Sequence, residues 1–265
     1  MSKQQISSIL RKTGFLHLAD KARYHQQKFI NSKDNREFRR KNPTVKLPPD
    51  YLIYESHELN YEKYFNGGYK TAEWLVSHFE KHIHLKDRAI LDWGCGPARI
   101  IRHLPDIVGN GCTFLGSDYN EKSIQWNSKN IQNVDFNLNS LKASLPYKND
   151  FIDIIYALSV FTHLSEKLHY EWFDELYRIL KPGGIMLITT SGKNYKGLLT
   201  MEELVDYEQH KLVARGQVKE GHRVYTTFHP EDFMRNLFKS VEILDHIVEK
   251  PQNGWLPQDI WIVRK

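Results

Sequence analysis

Cysteine is scarce in this sequence, with only Cys95 and Cys112 among 265 residues. Two cysteines cannot form a disulfide framework or a four-thiolate zinc site. Long apolar runs are also absent, because no stretch approaches the roughly 18 consecutive apolar residues that a membrane-spanning helix needs. The first 30 residues lack a short apolar core followed by a small-residue cleavage site, so secretion is not expected. The sequence therefore predicts a reducing, cytoplasmic setting.

The composition that is present is that of a folded protein. Hydrophobic residues make up 40% of the chain, aromatic residues 12% and charged residues 26%. This much apolar material excludes wholesale disorder, since it is enough to build a sizeable core.

Charge is distributed unevenly along the chain. Residues 1–41, called the basic arm below, carry eleven Lys/Arg against three Asp/Glu, whereas the remainder carries 26 against 29. Apolar residues in the arm are spaced at loose helical intervals and interrupted at Gly14, which predicts one or two amphipathic helices with basic faces. Such helices can pack on the body or on a second subunit, lie on an anionic membrane, or grip nucleic acid. Nucleic acid is the least favoured of these partners, because the body shows no aromatic–basic interleaving.

Beyond the arm, the pattern predicts alternating strands and helices. An extended segment at 43–49 precedes a helix from about Asn60 to His82, with a break possible at Gly67–Gly68. Strands are predicted at 89–93, 112–117, 134–137, 152–158, 185–190, 241–247 and 259–263, and helices at 98–106, 120–131, 166–180 and 230–239. Strands that alternate with helices indicate a parallel sheet covered on both faces.

The most informative segment runs from Ala89 to Arg99. A buried-type strand leads into Gly94-Cys95-Gly96, and a helix is expected to begin at Pro97. Glycines here let the backbone turn tightly and approach a ligand, and the start of the helix supplies free N–H groups. The next predicted strand is followed by Asp118, 22 residues after Gly96. An acid at that place can accept hydrogen bonds from both hydroxyls of a ribose.

A nicotinamide dehydrogenase uses a related device but is argued against by two residues. The dinucleotide fingerprint has a third glycine for close helix–strand packing, and Arg99 stands at that position. Asp92, directly ahead of the glycines, suits a cationic or amine-bearing ligand better than a pyrophosphate.

At this point the sequence resembles the class I S-adenosylmethionine-dependent methyltransferases. The resemblance rests on ILDWGCG (90–96), GSD (116–118), LPYKNDFIDIIYALSVFTHL (145–164) and ELYRILKPGGIMLITT (175–190). A softer similarity, in PPDYLIYE, SVFTHLSE and QDIWIVRK, links the chain to a bacterial subgroup associated with surface-polysaccharide or secondary-metabolite gene clusters.

The resemblance implies a Rossmann-like α/β fold. Its sheet would have seven mostly parallel strands with helices on both faces, preceded by an N-terminal helical arm. We therefore expect a basic arm and linker at 1–50 and a methyltransferase domain at 51–265. Segment 192–228, which interrupts the strand–helix alternation, is expected to form a lid over the substrate.

The resemblance also implies a site for S-adenosylmethionine, with S-adenosylhomocysteine as the product. The residues expected to hold the cofactor are Gly94 and Gly96 along its methionine part, Asp92 near its amino group, Asp118 on the ribose, Tyr119 and Leu141 beside the adenine, and Ser159 next to the methyl group. Ala98 departs from the family, many members of which have a third glycine there. The 139–141 stretch lacks the acid that would recognise adenine.

A hydroxyl nucleophile benefits from a general base with a pKa near neutrality, for which histidine is suited. His163 follows the fourth strand, where this fold opens its pocket, and is the expected base; a packing or capping role is the alternative. His222 and His229 flank the lid and are candidate substrate contacts. Tyr61, Tyr64 and Tyr69 are candidates for closing the pocket, although core packing fits each of them. No cluster with metal-ligand spacing is evident, so no metal is expected.

The sequence thus predicts methyl transfer to a hydroxyl of a sugar, a lipid-linked molecule or another small metabolite. Two alternatives remain open at this stage: a cofactor-binding but catalytically idle assembly protein, and an RNA methyltransferase that uses the basic arm. A cytoplasmic location is expected, with peripheral contact at the inner membrane surface through residues 1–41.

Overall fold

The structure is a computed structural model that describes residues 16–109, 111–216, 218–252 and 254–265. The predicted interruption at Gly14 and the first part of the basic arm lie outside these residues. Within them, no helix has both the length and the apolar character needed to cross a membrane.

A seven-stranded sheet forms the centre of the fold, in the spatial order β3-β2-β1-β4-β5-β9-β8. Its strands are β1 (Ala89–Trp93), β2 (Thr113–Asp118), β3 (Asp135–Leu138), β4 (Ile152–Ala157), β5 (Leu180–Thr190), β8 (Glu242–Ile247) and β9 (Asp259–Arg264). The five neighbouring strands β3, β2, β1, β4 and β5 are parallel to one another, and β9 is antiparallel to both of its neighbours, β5 and β8. A separate two-stranded ribbon joins β6 (Val213–Arg215) to β7 (Thr226–Phe228). The predicted mostly parallel sheet is confirmed.

The α-helices are α1 (Leu16–Ile30), α2 (Ser32–Lys41), α3 (Asp50–Ser56), α4 (Tyr61–Phe79), α5 (Leu104–Val108), α6 (Glu121–Asn130), α7 (Glu166–Ile179), α8 (Met201–Glu208) and α9 (Glu231–Leu237). Two short 3₁₀ turns that matter below span Ile101–His103 and Phe161–His163.

The predicted helix at 98–106 is wrong. Ala98 has a left-handed backbone with φ +57°, which ends any helix that starts at Pro97. The chain instead passes through the 3₁₀ turn and re-forms as the short helix α5.

Helix α4 shows no break at Gly67–Gly68. A Cβ at Gly68 would lie 2.1 Å from the backbone oxygen of Arg99, so the glycine allows α4 to pack closely against the segment that follows β1. Glycine is therefore needed at this position for close packing between α4 and the Arg99 backbone, and not for a turn.

Alternation along the buried strands produces two cores, one on each face of the sheet. On one face, Leu91 and Trp93 pack with Trp172 of α7. On the other, Ile90 and Tyr156 pack with residues of α4. Helices therefore cover both faces, as the sequence predicts.

A third cluster joins the N-terminal helices to the body. Phe38 of α2 is buried against Tyr61 and Tyr64 of α4, so both tyrosines are core residues rather than free closures of a pocket. Tyr69, the third candidate, is 42% exposed. In α1, by contrast, Phe29 and its neighbour Ile30 are 82% and 65% exposed. The arm is thus anchored through α2 and through the inner side of α1, where Tyr24 packs on Tyr54, while the other side of α1 faces outward.

Candidate active site

A cavity of about 240 Å³ opens at the carboxyl ends of the central parallel strands. This is the edge at which open α/β sheets bind ligands. Its walls come from the glycine loop after β1, the ends of β2 and β3, the turn after β4, helix α3 and the tip of segment 192–228.

The glycine loop forms one wall and is tied to β2. The N–H groups of Gly94 and Cys95 both donate to the Ser117 carbonyl, at 2.7 and 3.1 Å. Gly94 has φ +82°, and a Cβ there would lie 2.3 Å from Cγ2 of Val160. Gly96 also has a positive φ, of +49°. A cradle of bare backbone that a Cβ would fill is what close approach of a ligand requires.

Asp118 stands at the end of β2 with both carboxylate oxygens directed by backbone donors. Its Oδ2 accepts from the Gly96 N–H and its Oδ1 from the Asn120 N–H, each at 2.7 Å. Burial raises the pKa of Asp118, and these N–H groups act in the opposite direction. Each oxygen keeps further acceptor capacity, so the carboxylate fits the two hydroxyls of a ribose.

Asp92 does not line the cavity, although the sequence places it near the cofactor's amino group. Side chains alternate along β1, so Trp93 points toward α7 and Asp92 points toward the opposite face of the sheet. On that face, the Tyr156 hydroxyl and the positive charge of Arg99 favour the ionised form of Asp92. Burial raises the pKa of Asp92 to about 7, despite the opposing effects of Tyr156 and Arg99. The Asp92 carboxyl group is therefore buried and separate from the part of the glycine loop that faces the cavity.

This raised pKa predicts a pH-dependent cost to stability. A carboxyl whose pKa is higher in the folded than in the unfolded chain stabilises the fold at low pH, and this contribution is lost as pH rises from about 4 to about 7. We expect Asp92→Asn in cofactor-free protein to gain stability relative to wild type across that window, by up to about 4 kcal/mol, and to show no further change at higher pH. Urea unfolding between pH 5 and 8 measures this, with exposed Asp135→Asn as the control; a constant difference would contradict the prediction.

The expected adenine side of the cavity lies next to the tip of segment 192–228. Tyr119 and Leu141 both line the cavity. The Tyr119 hydroxyl donates to the Gly221 carbonyl at 2.9 Å, and Nε1 of Trp172 donates to the Leu141 carbonyl at 3.1 Å. The Tyr119 side chain is thus hydrogen-bonded to the tip of segment 192–228.

His163 lies in the 3₁₀ turn after β4 and lines the cavity. Its Nδ1 is 2.7 Å from the Tyr225 carbonyl. A carbonyl only accepts, so Nδ1 carries the proton and Nε2 of the neutral ring keeps a lone pair. Burial lowers the pKa of His163, the hydrogen bond to Tyr225 opposes this, and nearby His222 and Arg223 lower it further. The imidazole is therefore unprotonated at neutral pH.

The other two histidine predictions are not supported by the geometry, because neither His222 nor His229 lines the cavity. His229 is only 1% exposed, and its Nε2 lies 2.9 Å from Nε2 of His169. This buried pair packs behind the 161–163 turn. Among the residues that the structure describes, no group of three or more His, Cys, Asp or Glu side chains is arranged to hold a metal ion.

Two charged residues at the cavity were missed by the sequence argument. Glu55 of α3 accepts from Nδ2 of Asn120 at 2.9 Å, and burial raises its pKa. Arg223 donates from Nη1 to the Tyr54 carbonyl at 2.7 Å and stacks 4.2 Å over the Tyr54 ring. PPDYLIYE contains Glu55 and was a signal for the first residue; nothing local in the sequence singles out Arg223.

Comparison with known proteins agrees with this geometry. Residues 90–184 match a family model described as a methyltransferase domain. The chain is 36% identical over 101 residues to a tRNA (carboxymethyluridine(34)-5-O)-methyltransferase of Arabidopsis thaliana, covering 38% of this chain and 23% of that protein. It is 24% identical over 149 residues to a probable S-adenosylmethionine-dependent methyltransferase of Mycolicibacterium smegmatis, covering 55% and 56%. A sterol 24-C-methyltransferase of Clavispora lusitaniae is 24% identical over 213 residues, covering 74% and 52%. The matches thus span from about a quarter to just over half the length of these relatives.

Solved structures share the architecture. An S-adenosylmethionine-dependent methyltransferase from Methanosarcina mazei aligns with a TM-score of 0.57 at 20% identity, covering 71% of this chain and 96% of that one. Magnesium protoporphyrin IX methyltransferase from Synechocystis PCC 6803, solved with bound S-adenosylhomocysteine, aligns at 0.53 and 17% identity, covering 90% and 98%. The fold prediction is confirmed, and the comparisons support S-adenosylmethionine as the cofactor. Residues 90–184 match the methyltransferase-domain family, and the chain has the Rossmann-like fold of class I S-adenosylmethionine-dependent methyltransferases.

Proposed function

We propose that this protein transfers a methyl group from S-adenosylmethionine to a hydroxyl oxygen of a sugar, a lipid-linked molecule or another small metabolite. The observation that carries the proposal is His163, a neutral imidazole on the cavity wall whose Nδ1 proton is committed to the Tyr225 carbonyl. A hydroxyl acceptor has a proton to lose, and a ring in this state can take it.

The cofactor, when bound, supplies an activated methyl group on a sulfonium. The protein's own tasks are to align the acceptor and to manage one proton. Gly94, Gly96 and Asp118 fit the binding role, and Tyr119 and Leu141 fit the adenine. His163 accepts the acceptor's hydroxyl proton at Nε2, and the Tyr225 carbonyl stabilises the resulting imidazolium through Nδ1–H.

The acceptor class rests on the softer resemblance to the bacterial subgroup associated with polysaccharide and secondary-metabolite clusters. RNA is the second candidate, favoured by the identity to a tRNA methyltransferase and by the positive charge of the basic arm. A catalytically idle protein would bind the cofactor without transferring its methyl group.

Methyl transfer can be tested by incubating the purified protein with methyl-tritiated S-adenosylmethionine and separate pools of sugars, nucleotide sugars, lipid extracts and tRNA. The proposal predicts label in a sugar, lipid or small-molecule pool. Label in tRNA alone would favour the second candidate. Cofactor affinity with no transfer to any pool would favour the idle protein.

We also propose that α1 makes peripheral contact with an anionic membrane. Leu18, Phe29 and Ile30 are strongly exposed on this helix, and it also carries the exposed Lys21 and Lys28, the second of which pairs with Asp50 at 3.0 Å. Apolar side chains beside lysines suit the interface of a negatively charged bilayer. Sedimentation with phosphatidylserine vesicles, but not with phosphatidylcholine vesicles, is expected, and Phe29→Asp should abolish it. Absence of vesicle binding, with salt-dependent binding to tRNA instead, would contradict this role.

A further inference from the structure

A closed set of hydrogen bonds surrounds Ser159, at the point where the turn after β4 meets the cavity. Ser159 has a left-handed backbone with φ +63° and lines the cavity. Its N–H donates to Oγ1 of Thr189 at 2.9 Å, and its Oγ lies 2.9 Å from both Oγ1 of Thr162 and Nε2 of Gln258. Thr189 and Gln258 complete the set through a 2.6 Å contact between Oγ1 and Oε1. The turn after β4, strand β5 and the segment just before β9 are thereby joined at the edge of the cavity.

The donors and acceptors in this set of side chains indicate which group donates in each hydrogen bond. Thr162 donates its hydroxyl proton to the Ser159 carbonyl, 2.6 Å away, because a carbonyl can only accept. The contact between the two hydroxyls is therefore made with the Ser159 proton. Gln258 donates from Nε2 to the Ser159 oxygen and accepts the Thr189 proton at Oε1.

The opposite orientation of the Gln258 amide satisfies the same atoms less well. Thr189 already accepts from the Ser159 N–H, and a second donor from Gln258 would leave the buried Thr189 proton without a partner in the ring. A buried hydroxyl without a partner is unfavourable. The orientation with Oε1 toward Thr189 is thus the one in which every hydroxyl proton of the ring has a partner.

We propose that Thr162 and Gln258 are positioning residues that together make Ser159 a hydrogen-bond acceptor only, so that the site selects a methyl acceptor carrying a proton, a hydroxyl or an amine, over a carboxylate. The Ser159 proton is committed to Thr162 and one lone pair to Gln258, which leaves one lone pair for a molecule in the cavity. This inference rests on the proposed methyl transfer.

The selection follows from what each acceptor can offer. A hydroxyl can donate its one proton to Ser159 as it binds and give it up to His163 as the methyl group is transferred. A carboxylate has no proton, so beside Ser159 it meets only another lone pair and loses hydration without gaining a bond. Sites built to pair with a substrate's donor discriminate strongly against analogues that lack it.

Thr162→Val is the variant expected to turn the Ser159 hydroxyl from a hydrogen-bond acceptor into a donor toward the cavity. Valine has the shape of threonine but no oxygen, so the Ser159 proton loses its partner and is free to donate into the cavity. Thr162 itself is buried and does not line the cavity, so the walls of the site stay the same. Gln258→Leu instead opens the ring, and Gln252→Leu, at an exposed glutamine of the same C-terminal region, is the matched control.

The experiment uses a pool of hydroxy acids and sugar acids with methyl-tritiated S-adenosylmethionine, because each molecule offers both kinds of oxygen. Methyl esters release tritiated methanol in base, whereas methyl ethers and methylamines do not. We expect base-stable label from wild type and from Gln252→Leu, and an ester share about tenfold higher from Thr162→Val, the equivalent of one hydrogen bond. Mainly base-labile label from wild type would overturn the selection while leaving methyl transfer intact.

A second measurement on the same proteins does not depend on an acceptor. With S-adenosylhomocysteine bound, NMR should show slowly exchanging side-chain protons for Gln258 and Thr189 in wild type and in Gln252→Leu. Gln258→Leu should lose the Thr189 signal while keeping the affinity for S-adenosylhomocysteine within about twofold, since Gln258 does not line the cavity. Rapid exchange in wild type would overturn the ring. If the ring is present but no pool is labelled, the proposed function has failed rather than the assignment of Ser159.

Discussion

His163→Gln is expected to lower kcat by a factor of about 10²–10⁴, the usual contribution of a positioned general base. Glutamine can still donate to the Tyr225 carbonyl, but it cannot take up a proton at neutral pH. The affinity for S-adenosylmethionine should stay unchanged, because the His163 ring is bonded to the Tyr225 carbonyl, whereas Asp118 is held by the Gly96 and Asn120 N–H groups. Steady-state kinetics on the labelled pool, with calorimetry for the cofactor, separate these two quantities.

The pH profile gives the same test a second arm. Because burial lowers the pKa of His163 below the ordinary value for histidine, the ring is unprotonated at neutral pH, and kcat should be level at and above neutral pH and fall in acid. This acid limb should disappear in His163→Gln. His84→Gln, at an exposed histidine, is the control and should behave as wild type. Equal turnover in His163→Gln and wild type would return His163 to a packing role.

Gly94→Ala is expected to destabilise the protein by about 2–5 kcal/mol and to weaken cofactor binding. Two costs combine: a left-handed backbone for a residue with a Cβ, and overlap with Cγ2 of Val160 at 2.3 Å. Both fall on walls of the cavity, so relief of the overlap must shift either the glycine loop or the turn that carries His163. Denaturant unfolding and calorimetric titration measure the two effects.

The overlap can be isolated with Val160→Ala, which removes the clashing methyl group. The double variant Gly94→Ala/Val160→Ala should be less destabilised than the sum of the single variants by about 1–2 kcal/mol, since only the backbone cost remains. Simple additivity would show that Val160 is not what excludes a side chain at Gly94.

Most of the sheet could be predicted because its strands are buried on both sides. The runs at 89–93 and 152–157 are continuously apolar apart from Asp92 and Asp153, and each run ends where a glycine or polar turn begins. The region after Gly96 could not be predicted in the same way. Pro97 favours a helix start, but the left-handed Ala98 prevents one, and its conformation depends on packing against α4 rather than on local preference.

The candidate site divides along the same line. The residues Gly94, Gly96, Asp118, Tyr119, Leu141, Ser159 and His163 all line the cavity, because each lies at or after the end of a strand that could be recognised. Arg223 and Gln258 reach the site from segments far away in sequence, and only the folded chain brings them there. Asp92 does not line the cavity, although its place next to the glycine motif suggests that it would. Side chains alternate along β1, so the Asp92 carboxyl group points to the face of the sheet opposite Trp93.

The central claim is that this cavity binds S-adenosylmethionine through Asp118, and calorimetric titration of wild type and Asp118→Ala with S-adenosylmethionine and S-adenosylhomocysteine tests it most directly. The variant leaves the Gly96 and Asn120 N–H groups unpaired and removes the acceptor for the ribose, which should weaken binding by about 1–3 kcal/mol, or about 5- to 150-fold. Asp135→Ala, at an exposed acid of the neighbouring strand, should bind as wild type does. Equal dissociation constants for Asp118→Ala and wild type, or no binding by the wild type, would contradict the account.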